Sequence, residues 1–220
     1  MNNILRACAL TAALTLSPAL HAADIQKLTQ ETERIAQSGK DFTMVWWMPP
    51  AFWELSLSKA PSLTAEGKEQ ALAALGEYTI FAVLRGQIGA DGKLDARPKA
   101  DLLANASLEV DGATVSPLAP DAVKPMAQAI MAGFKPGIAG MLGSFGQGIE
   151  ILMYPGRKDG KLLLDPLQTG GFKYTLFDQT FAWRLPLGSL LPPLHDPKTG
   201  EEFPGNYLYN PFTGTKLSGK

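Results

Sequence analysis

The sequence predicts an α+β fold: an antiparallel β-sandwich or an open, barrel-like sheet with flanking helices. Two observations carry this. Short runs rich in β-branched and aromatic residues recur along the chain, and Pro-Gly, Asp-Gly and Gly-Gly pairs punctuate the joints between them. Such short joints suit antiparallel neighbours and leave no room for crossover helices. A few segments instead carry helix signals, and these are expected to flank the sheet.

Residues 1–22 read as a cleavable secretory signal. Arg6 gives the leading segment its positive charge, residues 7–20 are uncharged, and Pro18 breaks the run before the small residue Ala22. The apolar run is too short to span a bilayer as a stable helix. The expected product starts at Ala23, is soluble and periplasmic, and has no membrane span. It retains no cysteine, because Cys8 leaves with the signal, and a single histidine, His195. Residues 23–193 are expected to form the main β-rich domain with helices, and residues 194–220 a separate tail.

Residues 24–40 read as an amphipathic helix, with Asp24 at the N-cap, Ile25, Leu28 and Ile35 at helical spacing, and Gly39 at the exit. Residues 42–48 (FTMVWWM) read as a buried strand that Pro49-Pro50 must end. Thr64 caps a second helix that Gly76 closes. Residues 78–88 read as a strand. Residues 107–110 and 113–115 flank Asp111-Gly112, the strongest hairpin signal in the chain. Residues 149–154, 161–164, 172–177 and 180–185 supply further strands. Between them, residues 121–148 are rich in Ala, Met and Gly, with a helix expected up to Phe134 and a break or kink at Lys135-Pro136. Residues 186–193 form a Pro- and Leu-rich connector.

The tail repeats itself. Asp196-Pro197-Lys198-Thr199-Gly200 is echoed by Asn210-Pro211-Phe212-Thr213-Gly214. With cysteine at Asp196, Thr199, Asn210 and Thr213, this would be a pair of Cys-Pro-x-Cys-Gly knuckles at zinc-ribbon spacing. Residues 194–217 therefore resemble a zinc ribbon that has lost its four cysteines, a small C-terminal hairpin pair. The resemblance implies a docking or structural module without catalysis.

A knuckle needs an acceptor for backbone N–H groups two and three residues on. Asp196 and Asn210 can supply it as Asx-turns, and Thr199 and Thr213 can bond back across each turn. Without metal the tail must lean on apolar contacts, for which Phe203, Tyr207, Tyr209, Phe212 and Leu217 are at hand. Asp196→Asn is expected to cost less than Asp196→Ala, since the amide oxygen keeps an acceptor. One carboxylate, one amide and two hydroxyls make a poor metal site, so no metal and no cofactor is expected.

Most catalytic chemistries find no support. The mature chain has no thiol and one histidine. Ser144 lacks the glycine two places before it that a nucleophile elbow requires, and Ser56-Leu57-Ser58-Lys59 stands without the companion boxes of penicillin-recognising enzymes. The glycines around Ser144 precede a strand and lack a Walker lysine. Glu54, Glu150 and Asp178 remain as carboxylates able to pair for acid–base hydrolysis. The balance of 20 basic against 21 acidic residues argues against a nucleic-acid surface.

Two apolar features suggest binding. Trp46, Trp47, Phe52 and Trp53 form an aromatic cluster that is either a ligand surface or core. Residues 121–148 are either a lid over the sheet or a buried helix followed by a loop. The expected role is a non-enzymatic binding or structural module for an envelope protein or an apolar small molecule. The alternative is a periplasmic hydrolase using paired carboxylates.

Overall fold

A computed structural model describes residues 24–219, so the signal reading of residues 1–22 lies outside the described residues. The first described segment departs from its helix reading. Helix α1 (Ile25–Thr32) is capped by Asp24, whose carboxylate accepts from the Gln26 N–H at 2.9 Å, but it ends after Thr32. The chain continues as β1 (Glu33–Ser38), paired antiparallel with β2 (Asp41–Met48). Gly39, at φ +58°, turns the hairpin instead of closing a helix. Pairing with β2 overrides the local helical preference of a polar segment. The end of α1 is pinned at Thr32, which is fully buried. Its hydroxyl donates to the Leu28 carbonyl at 2.8 Å and accepts from Trp46 Nε1 at 3.2 Å, and its carbonyl accepts from Trp183 Nε1 at 3.1 Å.

β2 stops at Met48, and the chain turns directly into α2 (Pro50–Ser58). Pro50 occupies the first helical turn, where a missing N–H is no loss. Helix α3 (Ala65–Leu75) is capped by the Thr64 hydroxyl and closed at Gly76. The long strand β3 (Tyr78–Ile88) leads to β4 (Leu94–Ala96), α4 (Lys99–Ala104), β5 (Ala106–Val110) and β6 (Ala113–Val115). Asp111 and Gly112 take φ +49° and +76° in the turn between β5 and β6.

Helix α5 (Pro125–Met141) continues past Pro136 without the break expected there. That proline leaves the Ala132 carbonyl without its helical donor. Burial of Ile138 in the core holds the second half in place. A 3-10 turn, Gly143–Gly148, leads into β7 (Glu150–Pro155), β8 (Arg157–Lys158), β9 (Lys161–Leu162), β10 (Gly170–Leu176) and β11 (Gln179–Leu185). The tail carries β12 (Leu194–His195) and β13 (Glu202–Phe203).

Two larger antiparallel sheets organise most of these strands, while β8 with β9 and β12 with β13 form separate two-stranded pairs. In the five-stranded sheet, β1, β2 and β3 are neighbours in that order. The far side of β3 is shared, by β7 against Tyr78 to Val83 and by β4 against Gly86 to Ile88. The four-stranded sheet runs β11-β10-β5-β6. Trp47 meets Phe172 edge to face with ring centres 5.0 Å apart, and Phe81 meets Tyr174 at 4.4 Å, so side chains of the two sheets touch. The other face of β2 meets the helices: Trp46 packs on Phe52 at 5.1 Å, and Phe42 on Phe145 at 5.2 Å. Cover on both faces explains why β2 is apolar without alternation.

Candidate functional site

The aromatic cluster offered as a ligand surface is core. Trp46, Trp47, Phe52 and Trp53 are all buried, at 7% exposure or less, because β2 is covered on both faces and α2 lays its aromatics against the same layer. Segment 121–148 likewise supplies a helix packed on the core, but it also forms one wall of an open cleft.

That cleft, about 250 Å³, lies along the outer edge of β7. Met131, Ala132 and Lys135 of α5 face it from one side, and Lys99 and Leu103 of α4, with Leu118 and Val123, line the rest. Most of the lining is apolar. Of the four polar side chains on the wall, Gln128 is tied to the Pro120 and Val123 carbonyls at 2.6 and 2.8 Å, and Lys135 holds Glu150 at 2.8 Å. Lys99 is exposed and has no ion-pair partner among the described residues.

Hydrogen-bond parity defines the floor of the cleft. The Met153 carbonyl accepts from the Leu118 N–H at 2.7 Å, so Met153 turns its backbone polar groups away from β3. Ile151, two residues earlier, must do the same. Past Leu118 the neighbouring chain veers off into a 3-10 turn at Pro120–Ala122. The Met153 N–H and both backbone polar groups of Ile151 find no protein partner among the described residues. Yet these residues are only 6% and 8% exposed. No local signal in the sequence marks this site, since its walls come from separate segments.

The tail brings Asp196 and Asn210 together, both 1% exposed. Asp196 Oδ1 accepts from the Lys198 and Thr199 N–H groups at 2.8 and 3.4 Å. Asn210 Oδ1 accepts from Phe212 and Thr213 at 2.9 and 3.3 Å. Between the turns, Asn210 Nδ2 donates to Asp196 Oδ2 at 2.6 Å, and the Thr213 hydroxyl reaches the same oxygen at 3.4 Å. Thr199 and Thr213 each accept from the N–H two residues on. The Asn210 amide, then the Lys198 N–H, hold the Asp196 carboxyl below its usual range. Phe203 and Leu217 are buried. Tyr207, Tyr209 and Phe212, expected to lean on the body, instead stand 42%, 56% and 82% exposed, with Leu208 beside them at 71%.

The carboxylates do not assemble into a catalytic pair around the cleft. Glu54 is exposed on α2, Asp178 sits in the β10–β11 turn, and only Glu150 of the three lines the cleft. Asp178 instead pairs with Arg85 at 3.2 Å, and that guanidinium also reaches Asp41 and the Thr43 hydroxyl. Ser144 lies in the 3-10 turn before β7 and His195 in β12. Among the described residues no three His, Cys, Asp or Glu side chains cluster as a metal site, and no helix is long and apolar enough to cross a membrane. No protein-family model, curated protein or solved structure matches the chain.

Proposed function

We propose that this chain is an exported, non-enzymatic binding module whose ligand, an apolar small molecule or a segment of a partner protein, seats in the cleft between α5 and β7. The observation that carries this reading is the cleft itself: an apolar-lined concavity whose floor offers unpaired backbone groups of Ile151 and Met153. Concave, mostly apolar sites with a few convergent polar groups are where ligands bind. Hydrolysis by paired carboxylates draws less support, because the one carboxylate in the cleft, Glu150, is already neutralised by Lys135. In this reading the two sheets form a β-sandwich, with Trp47, Phe81 and Tyr154 meeting Phe172, Tyr174 and Trp183 between them. The tail is a metal-free, ribbon-like clasp, supported by the matched turns at Asp196 and Asn210.

Native mass spectrometry of the protein purified from its own envelope tests the binding reading. Wild type should carry a bound mass that Ala132→Trp, which fills the cleft, has lost. An identical mass on both proteins, or none on either, would defeat the assignment of the cleft.

A further inference from the structure

Resting on that reading of the cleft, we infer that its ligand is an extended peptide segment with a carboxylate, which adds a short strand to the edge of β7. The backbone selects this class. Ile151 offers one N–H and one C=O outward, and Met153 a second N–H in the same row. An acyl chain can cover those groups but cannot pair with them, and covering them unpaired disfavours its binding. A peptide in extended form pairs with all three, as strand addition to an open sheet edge does. Two outward-facing residues of one strand match about three residues of an added one.

The surroundings limit what can enter. Leu118 already occupies the edge at the Met153 carbonyl, and α4 and α5 wall the cleft, so a short segment fits where a whole sheet cannot. Leu103, Val123 and Met131 offer apolar contact to the peptide's side chains. Charge sets the end group. Lys135 and Glu150 cancel each other, and Lys99 is left as uncompensated positive charge at the rim. A chain-terminal carboxylate or an Asp or Glu side chain supplies the matching chemistry.

The test uses the exported protein and three probes: randomised N-acetyl tripeptides with free C-terminal carboxylates, the same peptides as C-terminal amides, and short saturated fatty acids. Bound species are isolated by gel filtration and read by mass. Free-acid peptides should be retained by wild type and lost on Ala132→Trp. Amide peptides should be retained only where they contain Asp or Glu. Binding of a retained peptide should slow amide exchange at Ile151 and Met153 at least tenfold, and N-methylation of its central residue should abolish retention. Lys99→Ala should weaken the carboxylate peptides about tenfold. Retention of uncharged amide peptides as well as acids would overturn the carboxylate. Fatty acids retained without peptides would overturn the peptide while sparing the cleft as a binding site. If neither class is retained, both fall. Retained peptides that leave exchange at Ile151 unchanged would overturn strand addition.

Discussion

Asn210→Ala strips three hydrogen bonds from the tail at once. The Phe212 and Thr213 N–H groups lose their acceptor at 2.9 and 3.3 Å, and Asp196 Oδ2 keeps only the Thr213 hydroxyl at 3.4 Å. At about 1 kcal/mol net for each of the three hydrogen bonds, two of them from part-buried N–H groups, the change costs about 3 kcal/mol. The Gly200 and Gly214 amides, which donate to the Asp196 and Asn210 carbonyls at 2.7 and 2.9 Å, are the reporters. At about 1.4 kcal/mol per decade their exchange should accelerate about 100-fold.

The geometry also reverses the sequence-based ranking of Asp196→Asn. Each Oδ1 is committed to backbone N–H groups, so neither side chain can turn over. Asn at 196 would then set an amide nitrogen against the Asn210 amide nitrogen, donor to donor, and its exchange should accelerate comparably. Asn210→Asp alone opposes two carboxylates, so this variant should gain stability as pH falls and one of them takes up a proton. Wild type should do the opposite. The depressed pKa of Asp196 contributes stability above the unfolded carboxyl's pKa, and that contribution is lost as pH falls through the lower folded value. Combining Asp196→Asn with Asn210→Asp restores one donor against one acceptor and should recover most of the loss. A combined variant no better than the worse single change would refute the side-chain pair as the clasp.

Thr32→Val should cost about 1–3 kcal/mol, seen as a lower urea midpoint at unchanged slope, because it leaves the buried Trp46 indole N–H unpaired. The Tyr154 and Tyr174 hydroxyls bond each other at 3.0 Å inside the core, so removing both by Phe should cost less than the sum of the two single changes in a double-mutant cycle. Burial raises both tyrosine pKa values, so their stabilising contribution is complete below the unfolded tyrosine pKa and is lost as pH rises above it. Phenolate absorbance from these two should therefore appear only with unfolding, and a folded protein showing all five tyrosines ionised would contradict it. Chelator and reductant should leave the melting temperature unchanged, and a shift of several degrees with either would expose a metal or a disulfide.

What was legible in the sequence is what a few adjacent residues decide. Asp111-Gly112 marks its hairpin because two positive φ angles are needed within two residues, and the tail turns show because each is closed within five. The segment after Thr32 misled because Gly39 serves a helix exit and a hairpin turn by the same positive φ, and only pairing with β2 chooses between them. Pro136 misled in the opposite sense, since a buried Ile138 outweighs one missing helical bond. The cleft beside β7 belongs to a third category. Its apolar walls could be listed from composition, but its floor depends on which residues of β7 bond to β3. Shifting that register by one residue would turn the polar groups of Ile151 onto β3 and set those of Leu152 at the edge in their place, with every local propensity unchanged. Which backbone groups the edge offers is therefore a property of register, carried by contacts such as Phe81 with Tyr154 across the pair, and no reading of β7 alone could contain it.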